Sequence, residues 1–429
     1  MTETRTPLVP APRTAPATRP VPVPPTAPPP PVREIWFAAW PVVALFILSN
    51  AAMPLYDVWQ HQLGFGSGTL TLVYAAYVVG LLGTLLVAGV ASDRLGRKPV
   101  LVPALLLGIL ACLVYATAPS VAALAAARLL TGVATGAAVS AGMAAVTDLA
   151  AGRALGPLLA STGMVLGAGI GPVLAGVLSE TAPAPTVTVF GVEAVLLATA
   201  LAVVARMPLP RSRPGRRDAR AASPATAGSA GSWVRLPAVP RANRRHLALG
   251  LAGFAPGISA TSFVLSLGPS LLTGLLGTAN RALAGGMALA MFLSATGVQF
   301  ALRRPAVRTV LLVSGAATVS ATLALVTAIH TGALAPLLAS VVLAGAGQGA
   351  GQLGGLTLLS REVPAHRRAE ANAALNAGGY LLAGALPVAD GYLSDVLGLP
   401  TAATLFGLAV AALAAAGAAL VALRGRDAR

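Results

Sequence analysis

A single charged turn constrains this chain more than any other stretch. The run Gly89-Val-Ala-Ser-Asp93-Arg94-Leu-Gly96-Arg97-Lys98 ends one long apolar segment and precedes another. Burying its three cations in hydrocarbon would cost roughly 3 kcal/mol each on insertion scales. The turn therefore belongs at a membrane surface, on the cytoplasmic side. It fixes the direction in which the neighbouring segments cross.

Composition agrees with that placement. Of 429 residues, 56% are hydrophobic and 10% charged, whereas soluble domains carry about 25% charged residues. The mean hydropathy is +0.79. The net charge of +16 is almost wholly arginine, Lys98 being the only lysine. These cations sit in short loops beside apolar spans, which is the pattern of a membrane protein facing an anionic inner leaflet and not that of a nucleic-acid binder. The one cysteine, Cys112, lies inside an apolar run and reads as a small buried hydrophobe. His61, His246, His330 and His366 are scattered over loops and segment ends, so no metal site or cofactor is expected. Residues 1–33 read as a disordered, Pro-rich cytoplasmic tail, with no cleavable signal peptide.

A helix needs about 20 apolar residues to cross hydrocarbon. On that measure, an all-α membrane protein of twelve transmembrane helices is expected. Spans lie near Trp36–Tyr56, Thr69–Val90, Val100–Thr117, Val121–Leu149, Leu155–Leu178 and Val187–Ala205. The second set covers His246–Leu272, Ala282–Ala301, Val310–Ala328, Ala333–Leu359, Ala371–Leu393 and Ala402–Leu423. Arginines cluster after the even-numbered spans, which puts both termini in the cytoplasm of a multi-pass cell-membrane protein. An Arg-rich linker over 207–245 separates a six-helix bundle at 34–206 from another at 246–429. Internal echoes support two pseudo-symmetric halves: Gly171-Pro172 and Gly176 in span five match Leu386-Pro387 and Gly391 in span eleven.

At this point the residues resemble a known family. Gly89-xxx-Asp93-Arg94-x-Gly96-Arg97-Lys98 is similar to the loop signature called motif A of the major facilitator superfamily. Arg128-Leu-Leu-Thr-Gly132-xxx-Gly136 in span four resembles its motif B. Gly167-xxx-Gly171-Pro172-xx-Ala175-Gly176 in span five resembles motif C of drug–proton antiporters, with Ala175 in place of the usual glycine. The resemblance implies the major facilitator fold. It also implies a latch in which Asp93 caps the start of span eleven and Arg97 bridges Asp93 to Asp148, with Gly89, Arg94, Gly96 and Lys98 shaping the turn. Motif C implies a bend at Gly167, Gly171, Pro172 and Gly176 that seals the pathway against leak.

Three ionisable groups stand out as candidates for proton coupling. Arg128 lies inside span four, where a lone cation is costly and should find a partner. Asp57, at the outer end of span one, and Glu193, in span six, are the expected partners. Asp390 and Asp395 read as surface carboxylates at the outer end of span eleven. Between the halves, a cavity wall is expected from Asn50, Tyr74, Tyr77, Thr261, Ser262, Gln348, Gln352, Asn376 and Tyr380. These polar groups are neutral, which suits an uncharged or amphipathic substrate.

The leading expectation is a monomeric secondary transporter, not an enzyme, that exports a small molecule against protons by alternating access. The proton gradient would supply the energy, since nothing resembles a phosphate-cradling loop for ATP. An uptake transporter or facilitator for a sugar or organic metabolite is the alternative. A non-transporting scaffold or receptor is the second.

Overall fold

The computed structural model describes residues 32–150, 155–207, 233, 237–277, 280–364 and 367–424. Residues 1–31 of the expected N-terminal tail and most of the Arg-rich linker lie outside them, while Val32 and Arg33, expected in the tail, begin the first helix. The described residues form helices and no strand. Along the first half these are α1 (Val32–Ala51), α2 (Tyr56–Leu63), α3 (Ser67–Leu95), α4 (Lys98–Thr117), α5 (Val121–Ala137), α6 (Met143–Leu149), α7 (Leu155–Thr181) and α8 (Pro185–Arg206). The second half has α9 (Arg244–Leu276), α10 (Arg281–Ala301), α11 (Val307–Thr331), α12 (Leu334–Glu362), α13 (Arg368–Leu397) and α14 (Leu399–Arg424).

Among the described residues, eleven helices are long and apolar enough to cross a membrane. The expected eleventh span, α13, is 30 residues long. It is less apolar because it carries Arg368, Glu370, Asn372, Asn376, Asp390 and Asp395. Two spans are jointed. A short 3-10 turn, Met53–Leu55, carries Pro54, which removes a helix donor and divides α1 from α2. A widened π-type turn, Ala138–Gly142, joins α5 to α6.

Ends are set locally. Ser120 accepts from the Ala123 N–H at the start of α5, and Asn280 accepts from the Leu283 N–H at the start of α10. Two ends of the bundle can be told apart by charge. The basic end carries Arg97, Lys98, Arg206, Arg303, Arg361 and Arg424; the opposite, far end carries few cations.

Helices α1–α8 pack as one half and α9–α14 as the other, joined chiefly by α7 against α10 and α3 against α13. In the first half, Trp59, Tyr115 and Phe190 stack on one another, with Tyr115 and Phe190 centroids 4.5 Å apart. Glycine lets α3 and α5 touch backbone to backbone: a Cβ on Gly132 would overlap the Tyr77 carbonyl, and one on Gly80 the Leu129 carbonyl. Close small-residue contact of this kind holds membrane helices together where no hydrophobic effect separates helix from lipid.

Candidate functional site

At the basic end, the charged turn folds tightly around Arg97. Its guanidinium donates to Asp93 at 3.0 Å, to Asp148 at 3.1 Å and to the Ser92 hydroxyl at 2.7 Å. Lys98 donates to the Ala205 carbonyl at 2.8 Å, tying the start of α4 to the end of α8. Arg94 lies over the ring of Trp233, 4.7 Å from its centroid. Gly96 sits at φ 102°, a conformation that a side chain resists. Gly89 has no such need, because a Cβ there meets open space.

Asp93 was expected to cap the start of span eleven, and here it does not. Among the described residues its carboxylate receives Arg97 alone, and its side chain is 54% exposed. The helix N-termini that do receive carboxylates across the halves are at the far end. Asp395, near the end of α13, accepts the Ser67 N–H at 2.7 Å and the Gly68 N–H at 2.9 Å, the first two of α3. Glu180, near the end of α7, accepts the Arg281 N–H at 2.9 Å, the first of α10, and lies 3.8 Å from its guanidinium. Each carboxylate satisfies orphan donors and meets the positive end of a helix dipole. Asp395 is exposed, as expected of a surface carboxylate, and it serves in addition as the cap of α3.

One signal in the sequence pointed to this. Ser92-Asp93-Arg94-Leu95-Gly96 closes α3 at the basic end, and Ser394-Asp395-Val396-Leu397-Gly398 closes α13 at the far end. The two pentapeptides share their geometry as well. Gly96 and Gly398 both have positive φ, and each donates its N–H to the serine four residues back, at 3.1 and 3.0 Å. Because α3 and α13 run antiparallel side by side, each presents this ending to the start of the other.

Arg128 is fully buried and meets neither expected carboxylate. It donates to the Tyr56 hydroxyl at 2.5 Å and to the Ser49 carbonyl at 2.7 Å. The rings of Tyr56, Tyr74 and Tyr77 surround it at 5.3, 5.3 and 5.6 Å. The ring faces and two oxygens take the place of an anion. Asp57 is instead paired with His61, 3.4 Å away on α2. Glu193 is fully buried on α8, and neither of its carboxylate oxygens has a hydrogen-bond partner among the described residues. Asp390, read from sequence as a surface group, is only 4% exposed and equally unpartnered.

The glycines of α7 divide their work. Cβ atoms on Gly167 and Gly171 would strike the Val43 and Ile47 carbonyls of α1, within the first half. A Cβ on Gly176 would strike the Arg281 carbonyl of α10, and one on Gly285 of α10 the Pro172 carbonyl in return. Pro172 and Gly176 thus belong to the seam between the halves. The helix runs without interruption through Pro172.

Of the expected wall, Tyr74 lies beside Ser262 of the other half, and Tyr380 lies near both Tyr74 and Tyr77. Gln352 receives Gln299 at 3.4 Å, and Asn50 donates to Ser49 at 3.1 Å. Thr261 turns back onto its own helix, donating to the Ile258 carbonyl. Gln348 presents its backbone to Gly257 of α9. The Asn376 side-chain oxygen is buried without a partner. A cavity of about 510 Å³ lies elsewhere, at the basic end of the first half, bounded by Glu34, Phe37, Leu149, Thr199, Arg206 and Met207 among others. No cluster of metal-ligating side chains occurs among the described residues.

Comparison with known proteins adds the family context. The sequence profile of the Major Facilitator Superfamily matches residues 35–335. An uncharacterised MFS-type transporter of Bacillus subtilis (strain 168), YfkF, is 28% identical over 148 residues, which span 34% of this chain and 38% of that protein. A point mutant of the nucleoside transporter NupG superposes with a TM-score of 0.71 at 15% identity, covering 90% of this chain and 99% of that one. A bacterial homologue of the human lysosomal transporter Spinster, inward-facing and occupied, gives 0.68 at 14% identity, covering 93% and 98%. At these identities the structures speak for the fold alone.

Proposed function

The chain belongs to the major facilitator superfamily, and on that premise we propose that it exports a small neutral or amphipathic molecule in exchange for protons, by alternating access. The basic end faces the cytoplasm in this reading, as the arginine-rich loops require. The observation that carries the reading is the asymmetry of the two ends. Asp395 and Glu180 cap helices across the halves at the far end, while Asp93 and Asp148 stay within their own half, held by Arg97. In this reading that arrangement corresponds to a state closed to the outside.

The repeated Ser-Asp-x-Leu-Gly ending supplies the counterpart state. When the basic end closes, Asp93 caps the start of α13 as Asp395 now caps α3. Each contact is worth about 0.3–1 kcal/mol when exposed and up to ~2 when partly buried. Exchanging one for the other keeps the two states close in energy, as a rocking transporter needs.

Proton coupling rests on Glu193. A buried intramembrane carboxylate without a hydrogen-bond partner among the described residues supports a proton-carrying role. Arg128, caged by tyrosine rings in the same half, is a second buried charge. The neutral character of Tyr74, Tyr77, Ser262 and Tyr380 supports a neutral or amphipathic substrate, and the motif C-like glycines support the antiport direction.

The test uses purified protein in liposomes enclosing a pH-sensitive dye, challenged with a panel of amphipathic dyes, nucleosides and sugars. An accepted compound should drive proton movement that Glu193→Gln reduces on the order of 100-fold, with ligand-induced thermal stabilisation kept. Flux that persists unchanged when an uncoupler dissipates the gradient would point to a facilitator and overturn the antiport reading.

A further inference from the structure

The face of α13 turned toward α9 can be followed residue by residue. Leu375 lies against Gly250, and Gly379 against Phe254. At helical spacing the same stripe continues through Ala383, Pro387, Asp390 and Ser394, all buried. Asp390 is 4% exposed and Ser394 6%. Among the described residues, both carboxylate oxygens of Asp390 and the hydroxyl of Ser394 lack hydrogen-bond partners. The adjoining residue, Gly391, is pressed on the Ser67 carbonyl and Thr71 of α3, and Asp395 one turn on caps that same helix. Asp390 is thus buried beside the seam that closes the far end, one residue from the Gly391 contact and five from the Asp395 cap.

Its surroundings bring no cation. The far halves of the helices packed on α13, residues 67–78 of α3, 259–276 of α9, 334–348 of α12 and 399–410 of α14, contain no Lys, Arg, His, Asp or Glu; Tyr74 and Tyr77 are their only titratable groups. On α13 itself, Asp395 is committed to α3 and Tyr392 is half exposed. Arg281 is drawn to Glu180, and His61 to Asp57. An ionised carboxylate enclosed in this way would lose its hydration and gain nothing, so the group enclosed is the neutral acid.

We propose that Asp390 is a proton-binding site of the far-end gate: the carboxylate takes a proton from water on the far side, and only the neutral acid can be enclosed when α3 and α13 close. The inference builds on the alternating-access reading and adds a titrating group in the second half, separate from Glu193. Its sign follows from linkage. Closure binds a proton, so lowering the pH favours the closed far end and raising it favours the open one.

The experiment follows the far-end distance between spin labels at Gln62→Cys and Val396→Cys in the full-length protein in liposomes, titrated from about pH 5 to 9. The unsubstituted protein should shift its open-to-closed ratio by about ten-fold or more. Asp390→Asn, which keeps the shape and removes the titration, should favour the closed end and lose most of that shift, and Asp390→Asn with Glu193→Gln should hold it below about two-fold. Glu193→Gln should still respond. The infrared C=O stretch of a protonated carboxyl, present at low pH, should lose one component in Asp390→Asn, a readout that holds even where the variant folds less well. A response retained in full by Asp390→Asn, with its infrared band intact, overturns this inference and leaves the antiport reading standing. A protein that never changes its far-end distance overturns both.

Discussion

Gly132→Val should leave almost no folded protein. Gly132 lies where α5 crosses α3, and a Cβ there would overlap the Tyr77 carbonyl and lie 2.9 Å from the Leu81 nitrogen. Gly80 answers from the other side, facing Leu129 and Val133, so neither helix has slack to give. Overpacking of a core typically costs about 1–3 kcal/mol when side chains can move aside. Here the obstacle is backbone on both sides, and the cost should exceed about 3 kcal/mol. The same helices carry Tyr74, Tyr77 and Arg128, so separating them also strips the guanidinium of its cage. Yield of monodisperse protein in detergent, with its unfolding temperature, checks this. Gly132→Ala should fall between the two, and a valine variant as stable as the parent would contradict the packing described.

Gly285→Val presents an equally severe clash with a different outcome. Its Cβ would overlap the Pro172 carbonyl and lie 2.9 Å from the Val173 Cα. This contact joins the two halves, so the strain can be relieved by parting the far ends while each half stays folded. A bias of about 3 kcal/mol changes the ratio of states by more than 100-fold. Thr71→Cys reports the change. Thr71 is fully buried beneath Gly391 in the closed seam. A membrane-impermeant maleimide applied from the far side should label it at least about ten-fold faster when Gly285→Val is added. Equal labelling rates in two well-folded proteins would show that the far end does not open at this seam.

The contrast between these glycines shows what the sequence could and could not reveal. Span positions were legible because hydrocarbon tolerates so little charge that composition alone marks them. The helices at Val100–Thr117 and Val121–Leu149 match their expected ends closely. The first span was harder: after the Pro54 turn the chain goes on as the more polar helix α2, which ends at Leu63. Arg128 was correctly placed within its helix, yet its partners were not carboxylates. Tyrosine rings and a backbone carbonyl serve as well, and nothing in the spacing of one helix tells which other helix will supply them.

The far-end caps were hidden for a similar reason. Asp395 and Ser67 are 328 residues apart, and an acid near a helix end reads as solvated until its neighbour is known. The echo of Ser92-Asp93 in Ser394-Asp395 was the available signal. Asp390 was misjudged by depth along the helix; the stripe through Leu375, Gly379, Ala383 and Pro387 puts it on the inner face.

The central claim is that the two halves tilt about the middle, so that one end opens as the other closes. Distances between paired spin labels measure this directly, in a Cys112→Ala background, which removes the one native thiol. One pair, Gln62→Cys with Val396→Cys, spans the far end. The other, Leu95→Cys with Arg361→Cys, spans the basic end, all four positions being exposed. As pH or an accepted compound is varied, the far-end distance should lengthen in the same fraction of molecules in which the basic-end distance shortens. Distances that stay fixed under every condition, or that lengthen together at both ends, would contradict it.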